Sequence, residues 1–238
     1  MLGTISSYRH YLGQLYAFLP DNKEIQPDTL LHWRQSLAVQ GYTARTINAH
    51  LSAANGLLRY FDRQDLQLDS RLQTEKVVQP ELTRAEYQRL LQAARHSGKE
   101  RLYLLIKLFG TTGLPLGDIP AVTVEAVRAG VIPVGRKGET IRLPTCLRKE
   151  LLDYTRRQGV RSGQLFLTRS GKPIGRSSVT DAIRHLCKET QVPAEKGSPR
   201  CLRNMYHETR ARLEREISVM IEQAYDQLAE DELAWVNI

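Results

Sequence analysis

The sequence predicts a mainly α-helical protein with one small β-hairpin. Apolar residues recur every three or four positions along most of the chain, which is the period of a helix with one buried face. Two short apolar segments, residues 131–134 and 140–144, flank a four-residue turn and predict the hairpin. The helical period fades after residue 65, so we expect two domains, 1–65 and 83–238, joined by a linker at 66–82.

Three helices are predicted in the first domain. The first carries an apolar face that begins with Ile5 and Tyr8 and ends at Leu19. The second follows Pro27, which suits a first helical turn, and ends near Gly41. The third is capped by a threonine and carries an apolar stripe. The cap is Thr43, and the stripe comprises Ile47, Leu51, Ala54, Leu58 and Phe61.

The opposite face of the third helix carries hydrogen-bond donors and no acidic residue. Its side chains are Arg45, Asn48, Ser52, Asn55 and Arg59. Side chains of these types bind DNA phosphates and base edges, so the face predicts a DNA-binding surface. The alternative is an ordinary solvated face, because polar residues also line helices that bind no ligand.

The second domain is predicted to be helical on both sides of the hairpin. Thr83 and Glu86 have the spacing of a capping box, which marks the start of a helix. A core helix then ends near Gly110. The remaining helices are expected over residues 147–158, 178–190, 203–214 and 217–228.

The composition limits the classes of function. The chain has 34 lysines and arginines against 26 acidic residues, a net charge of +8, and such a balance favours a polyanionic partner such as DNA. Three widely spaced cysteines fit neither a disulfide framework nor a zinc site, so we expect a reducing cytosol and no metal. No apolar run is long enough to span a bilayer. These features predict a cytoplasmic protein with no membrane partner.

Three stretches resemble the active-site signature of the tyrosine recombinase (phage integrase) family. They are residues 112–118, Thr-Gly-Leu-Pro-Leu-Gly-Asp; the turn 135–138, Gly-Arg-Lys-Gly; and residues 200–203, Arg-Cys-Leu-Arg. The order of a helical domain, a linker and a helical domain with a basic hairpin is similar to that family over nearly the whole chain. The resemblance implies a core-binding (SAM-like) domain, then a catalytic domain, and DNA cleavage by a tyrosine hydroxyl without metal or other cofactor.

The residues to which the resemblance assigns chemistry are partly replaced. Lys137 and Arg203 match the family's lysine and second arginine, and Asp118 matches a carboxylate that follows the first arginine. Pro115 stands at the position of that first arginine, and Arg200 stands at the position of a histidine. Proline offers no donor to a phosphoryl transition state, and arginine does not exchange protons near neutral pH. The resemblance therefore implies a pocket that keeps positive charge but lacks catalytic groups.

The nucleophile is also replaced in the register that the resemblance gives. Counted without gaps from Arg203, the family's tyrosine falls on Trp235, and a preceding histidine or tryptophan falls on Asp226. Tyr225 is the nucleophile if the register differs, although its helical spacing with apolar neighbours favours a packed core residue. The apolar residues after Leu228 are expected to dock on a neighbouring subunit or on the protein's own surface.

Three functions are consistent with these observations. The first is a DNA-binding protein on a recombinase scaffold that does not cleave DNA and acts in, or regulates, integration or recombination of a mobile element. Its DNA contacts are the donors of the third helix with Lys137, Arg200 and Arg203. The second is an active site-specific recombinase in which Tyr225 attacks, and the third is a protein interaction module that does not bind DNA. For the first two we expect association with the nucleoid, and a second copy or a partner recombinase bound through the C-terminal tail.

Overall fold

A computed structural model describes residues 2–74, 80–135, 138–168 and 170–236. This part of the chain is mostly α-helical with one two-stranded antiparallel sheet, which confirms the predicted fold class. The chain divides into two compact units, Met1–Val77 and Val78–Ile238, and each has its own buried apolar core. None of the described helices is both long and apolar enough to cross a membrane.

The first unit is a small helical bundle. It contains α1 (Leu2–Phe18), α2 (Thr29–Val39) and α3 (Ala44–Tyr60), followed by a short 3-10 helix. Thr43 caps α3 as predicted, since its side chain accepts a hydrogen bond from the Thr46 backbone amide at 3.3 Å. The core of this unit contains Leu15, Leu30, Trp33, Leu37, Ile47, Leu51, Ala54 and Leu58.

Both ends of the predicted apolar pattern in this unit lie outside its core. Ile5 and Tyr8 at the start of α1 are 62% and 41% exposed, whereas Leu15 and Leu19 in the second half of the same helix are buried. Phe61, the last residue predicted for the α3 stripe, is 64% exposed. The core thus reaches only the second half of α1 and stops one turn before the predicted end of the stripe.

The segment after α3 belongs to the first unit as far as residue 72, although the sequence places it in the linker. Leu66 is buried in the core, and Leu68 and Leu72 pack against it. Two asparagines of α3 hold this extended segment. Asn48 exchanges two hydrogen bonds of 2.9 Å with the backbone of Leu72, and Asn55 exchanges bonds of 3.0 and 3.1 Å with that of Leu68. Residues 66–72 of the predicted linker are thus held against α3 and the core of the first unit.

The second unit is built around a central buried helix. Its elements are α4 (Arg84–His96), α5 (Glu100–Thr112), α6 (Val124–Ala129), β1 (Val131–Val134), β2 (Glu139–Arg142), α7 (Thr145–Gln158), α8 (Arg176–Glu189) and α9 (Pro199–Val236). Thr83 and Glu86 form the predicted capping box at the start of α4. Helix α5 packs against α4, α7, α8 and α9, and its Leu108 and Phe109 are fully buried. The strands pair in a register that places Val134 opposite Glu139.

The last helix is longer than predicted. The sequence analysis separates helices 203–214 and 217–228, whereas α9 runs without a break. No glycine or proline follows Pro199 within it, and two ion pairs with i,i+4 spacing lie next to the predicted gap, one of which reaches into it. Arg210 binds Glu214 at 2.6 Å, and Arg212 lies 3.7 Å from Glu216. The first part of α9 packs in the core, and every described side chain from Arg212 to Trp235 is exposed.

Candidate functional site

The three signature stretches lie around one open cavity of the second unit. The cavity has a volume of about 670 Å³ and is bounded by the end of α5, the hairpin and the first part of α9. The lining side chains that bear charge or hydrogen-bonding groups include Asp118, Glu139, Arg142, Arg203, Tyr206, His207 and Arg210. Three arginines thus face two carboxylates, so the described lining has an excess of positive charge.

The floor of the cavity depends on a sharp turn at the end of α5. Gly113 has φ of +66°, a left-handed conformation that favours glycine. Thr112 fixes the turn, because its hydroxyl donates to the carbonyl of Leu108 at 2.6 Å and accepts from the amide of Leu114 at 3.2 Å. Leu114 is fully buried, and Pro115 follows at the cavity wall. The turn therefore presents a proline ring, without a donor, to the cavity.

One face of α9 supplies the cavity with a row of polar side chains. Arg203 Nε donates to His207 Nε2 at 3.2 Å, so that ring nitrogen is an acceptor and carries no proton. Desolvation of the ring, followed by the positive charges of Arg203 and Arg210, lowers the pKa of His207 below its usual value. His207 is consequently neutral at pH 7 when the cavity is empty of anions.

Comparison by sequence gives no match to a protein-family model or to a curated protein. Comparison by structure does give matches. The chain superposes on a lambda integrase dimer bound to a COC′ core site with a TM-score of 0.64, at 18% identity over 87% of this chain and 63% of that one. It matches the Tn1549 transposon integrase in complex with transposon right-end DNA with a TM-score of 0.64, at 16% identity over 86% and 79% of the two chains. The chain has the tyrosine recombinase fold.

Within the tyrosine recombinase fold, the predicted site residues separate into three groups. Arg203 lines the cavity, with Pro115 and Asp118 across from it. Arg200 is exposed on the first turn of α9 and does not line the cavity. Lys137 lies outside the described residues, but Gly135 and Glu139 of the same hairpin line the cavity.

Tyr225 is far from the cavity. It follows Arg203 by 22 residues on the same continuous helix, which corresponds to about 33 Å along the axis at 1.5 Å per residue. Trp235 is about 48 Å away on the same basis. Tyr225 is 68% exposed, so the interpretation as a packed core residue is wrong. The cavity contains a different tyrosine, Tyr206, whose ring lies 5.3 Å from that of His207 between centroids.

Sequence reasoning missed three cavity residues of α9. Tyr206, His207 and Arg210 follow Arg203 by three, four and seven positions, which is the spacing of one helix face. That spacing was visible in the sequence. Arg142 completes the basic lining from β2.

The donor face of α3 is smaller than the sequence predicts. Arg45 and Arg59 are exposed. Asn48 and Asn55 are half-buried, and each uses one amide hydrogen and its amide oxygen to hold the following backbone segment. Ser52 is exposed, but its hydroxyl donates to the carbonyl of Asn48 at 2.8 Å. Of the five predicted donors, Arg45, Ser52 and Arg59 are therefore the exposed ones.

The described residues contain no group of three histidine, cysteine, aspartate or glutamate side chains that could hold a metal ion.

Proposed function

We propose that this protein binds double-stranded DNA on a tyrosine recombinase fold, does not cleave it, and acts in or regulates the integration or recombination of a mobile element. The observation that carries the proposal is the combination of an arginine-lined cavity, with Pro115 at its wall, and a Tyr225 that lies about 33 Å from Arg203 and about 22 Å from Arg210 along α9. The lambda and Tn1549 integrases that share the fold were determined on DNA. The net charge of +8 also favours a polyanionic partner such as DNA.

The proposed DNA contacts begin with the arginines of the cavity. Guanidinium groups bind phosphate oxygens through paired hydrogen bonds, and Arg142, Arg203 and Arg210 converge from two elements on the same space. Further contacts are proposed for the exposed Arg200 and for Lys137. On the first unit, Arg45, Ser52 and Arg59 are the proposed contacts.

The proposed loss of cleavage rests on two requirements of phosphoryl transfer. A nucleophilic oxygen has to reach the phosphorus, and fixed donors have to stabilise the charge that develops on the phosphoryl oxygens. Pro115 supplies no donor, and the loss of one such donor in other enzymes costs about 3–4 kcal/mol, or a rate factor of about 100–1000. Tyr206 is in the cavity, so cleavage by Tyr206 is the version of the active-enzyme alternative that geometry favours.

The proposal is tested with a pool of nicked duplexes of random sequence, followed by denaturing electrophoresis. We expect no covalent protein–DNA adduct from the wild-type chain. An adduct that disappears in Tyr206→Phe or in Tyr225→Phe would contradict the proposed loss of cleavage and identify the nucleophile. The two variants distinguish attack from the cavity from attack by the distal helix.

DNA binding itself is tested by the salt dependence of affinity for a short duplex. Between roughly 50 and 200 mM salt we expect a steep fall in affinity, with a log–log slope that decreases by about one for each phosphate contact removed. Arg203→Ala and Arg142→Ala should weaken binding and reduce the slope. Arg156→Ala is the matched control, because it removes the same charge from an exposed position on α7. Affinity that is independent of salt and of Arg203 would favour the protein interaction module.

The neutral state of His207 gives the proposal a pH dependence. A phosphate in the cavity favours the protonated ring and raises the pKa of His207, so binding takes up a proton. Affinity should therefore rise as the pH falls from about 8 to 6, by at most about tenfold per pH unit for one proton. Fluorescence anisotropy at constant ionic strength measures this. His207→Gln should bind with little dependence on pH, and an unchanged pH profile in that variant would exclude His207 as the titrating group.

The partners that we propose are double-stranded DNA and another protein subunit, either a second copy or a partner recombinase. The exposed second part of α9, which contains the C-terminal tail, is the surface proposed for the subunit contact. A protein with these partners would act in the cytoplasm in association with the nucleoid.

A further inference from the structure

The exposed part of α9 carries an apolar stripe on one face. Its largest members are Leu213, Ile217, Met220, Ile221 and Leu228, which are 47% to 67% exposed. At 100° per residue these side chains, together with Ala224, fall within an arc of about 100°. A stripe of this width is the face that a helix buries against a partner.

The stripe is symmetric about its midpoint, so its residue types follow in nearly the same order from either end of the helix. Its midpoint lies between Met220 and Ile221, and positions at equal distances from that midpoint are of matching type. The equivalent positions are Leu213 and Leu228, Ile217 and Ala224, and Met220 and Ile221. One layer further out, Arg210 is equivalent to Asp231, a pair of opposite charge. An antiparallel copy of the same helix would therefore place apolar side chains against apolar ones and a cation against an anion.

The charges along α9 favour the antiparallel direction. Arg203, Arg210, Arg212 and Arg215 lie in its first half, whereas residues 216–232 contain six carboxylates and no lysine or arginine. A parallel pair would bring the two acidic segments together, and like charges at contact distance repel. An antiparallel pair brings the acidic segment of each helix towards the basic segment of the other.

An unpacked helix of this kind also requires a partner for stability. Most helical stability in proteins comes from packing of the apolar face, and long exposed apolar stripes mark interaction surfaces. We infer that residues 210–231 of α9 pair with the same residues of a second copy as an antiparallel two-helix interface about 32 Å long at 1.5 Å per residue. The two-fold axis passes between Met220 and Ile221. The pairing is argued independently of DNA binding, although it shares one residue, Arg210, with the proposed phosphate contacts.

Sedimentation of the nuclease-treated full-length chain tests the pairing. The wild type should sediment at twice the chain mass of 27.1 kDa. Ile221→Lys places a charge at the axis twice per dimer, and we expect the dimer dissociation constant to rise by about 100-fold or more. Val219→Lys is the matched control: Val219 and Ile221 are 51% and 52% exposed, but they lie about 160° apart around the helix. A monomeric wild type, or equal effects of the two substitutions, would overturn the inference.

The direction of pairing is tested by exchanging charges. Arg210 now binds Glu214, and Asp231 accepts from Gln227 at 3.2 Å, so both side chains are held on the helix surface. Arg210→Glu and Asp231→Arg should each weaken the dimer by about tenfold. The double variant should restore it, because the ion pair forms again with its two charges exchanged. In a parallel dimer each residue faces its own copy, and the double variant would give no rescue. Circular dichroism of each variant establishes that helix content is unchanged.

Discussion

Replacing Trp33 with alanine is expected to destabilise the first unit by about 3–5 kcal/mol, the usual cost of removing a large buried aromatic side chain. Trp33 is 2% exposed and is the largest fully buried side chain of the protein. Its ring meets that of His50 edge-on, with a centroid distance of 5.6 Å. A unit of this size has a total stability of about 5–10 kcal/mol, so most of its stability would be lost.

The chain contains a matched control for this substitution. It has two tryptophans, and Trp235 is 81% exposed at the end of α9. Trp235→Ala should change stability by less than about 0.5 kcal/mol. Urea unfolding is followed by circular dichroism. In Trp33→Ala, part of the helical signal should be lost at low urea as the first unit unfolds. A second transition at higher urea should remain, because the second unit has its own core. Equal unfolding profiles for the two variants would contradict the assignment of Trp33 as the centre of the first core.

The parts of the fold that the sequence predicts well are those with local signals. The capping box at Thr83 and Glu86 depends on atoms three residues apart, and the cap at Thr43 has the same range. The hairpin around residues 135–138 is similar, because two short segments and a tight turn lie together in the chain. Such features form from neighbouring residues, so no tertiary information is required to find them.

The parts that the sequence predicts poorly depend on distant contacts. Asn48 and Asn55 have the spacing of a polar helix face, and only the docking of Leu68 and Leu72 beside them shows that their amides bind backbone. Ile5 has the spacing of a buried residue, but the core does not extend to it. Periodicity reports which side of a helix is apolar, whereas the length of the buried face is set by the neighbouring elements.

In the candidate site, too, the local features are predicted well and those that depend on distant contacts are not. The motif around Arg203 is local, and its position in a cavity with the 112–118 turn follows from the fold that the resemblance implies. Tyr206, His207 and Arg210 lie within the predicted helix 203–214, and only the fold shows that the face they share lines the cavity. The predicted break left the distance between Tyr225 and the cavity open, whereas the continuous α9 sets it.

The cavity itself is expected to be most sensitive at Gly113. Alanine at this position has to keep the left-handed φ of +66°, and its added Cβ would lie 2.5 Å from the Tyr206 ring. We expect Gly113→Ala to destabilise the second unit by about 2–4 kcal/mol, from backbone strain together with displacement of the ring. Because Tyr206 lines the same cavity as Arg203 and Arg210, displacement of the ring also disturbs the proposed phosphate contacts, and DNA affinity should fall.

A substitution at Gly159 distinguishes backbone strain from the clash with the Tyr206 ring. It ends α7 with the same φ of +66°, and a Cβ added there would meet no atom within 4 Å. Gly159→Ala should therefore cost only the backbone strain, about 1–2 kcal/mol, and leave DNA affinity unchanged. Combining Gly113→Ala with Tyr206→Ala removes the clash, so thermal unfolding should show the double variant to be more stable than the sum of the two single effects. Equal losses for Gly113→Ala and Gly159→Ala, or strict additivity in the double variant, would show that Tyr206 does not press on this turn.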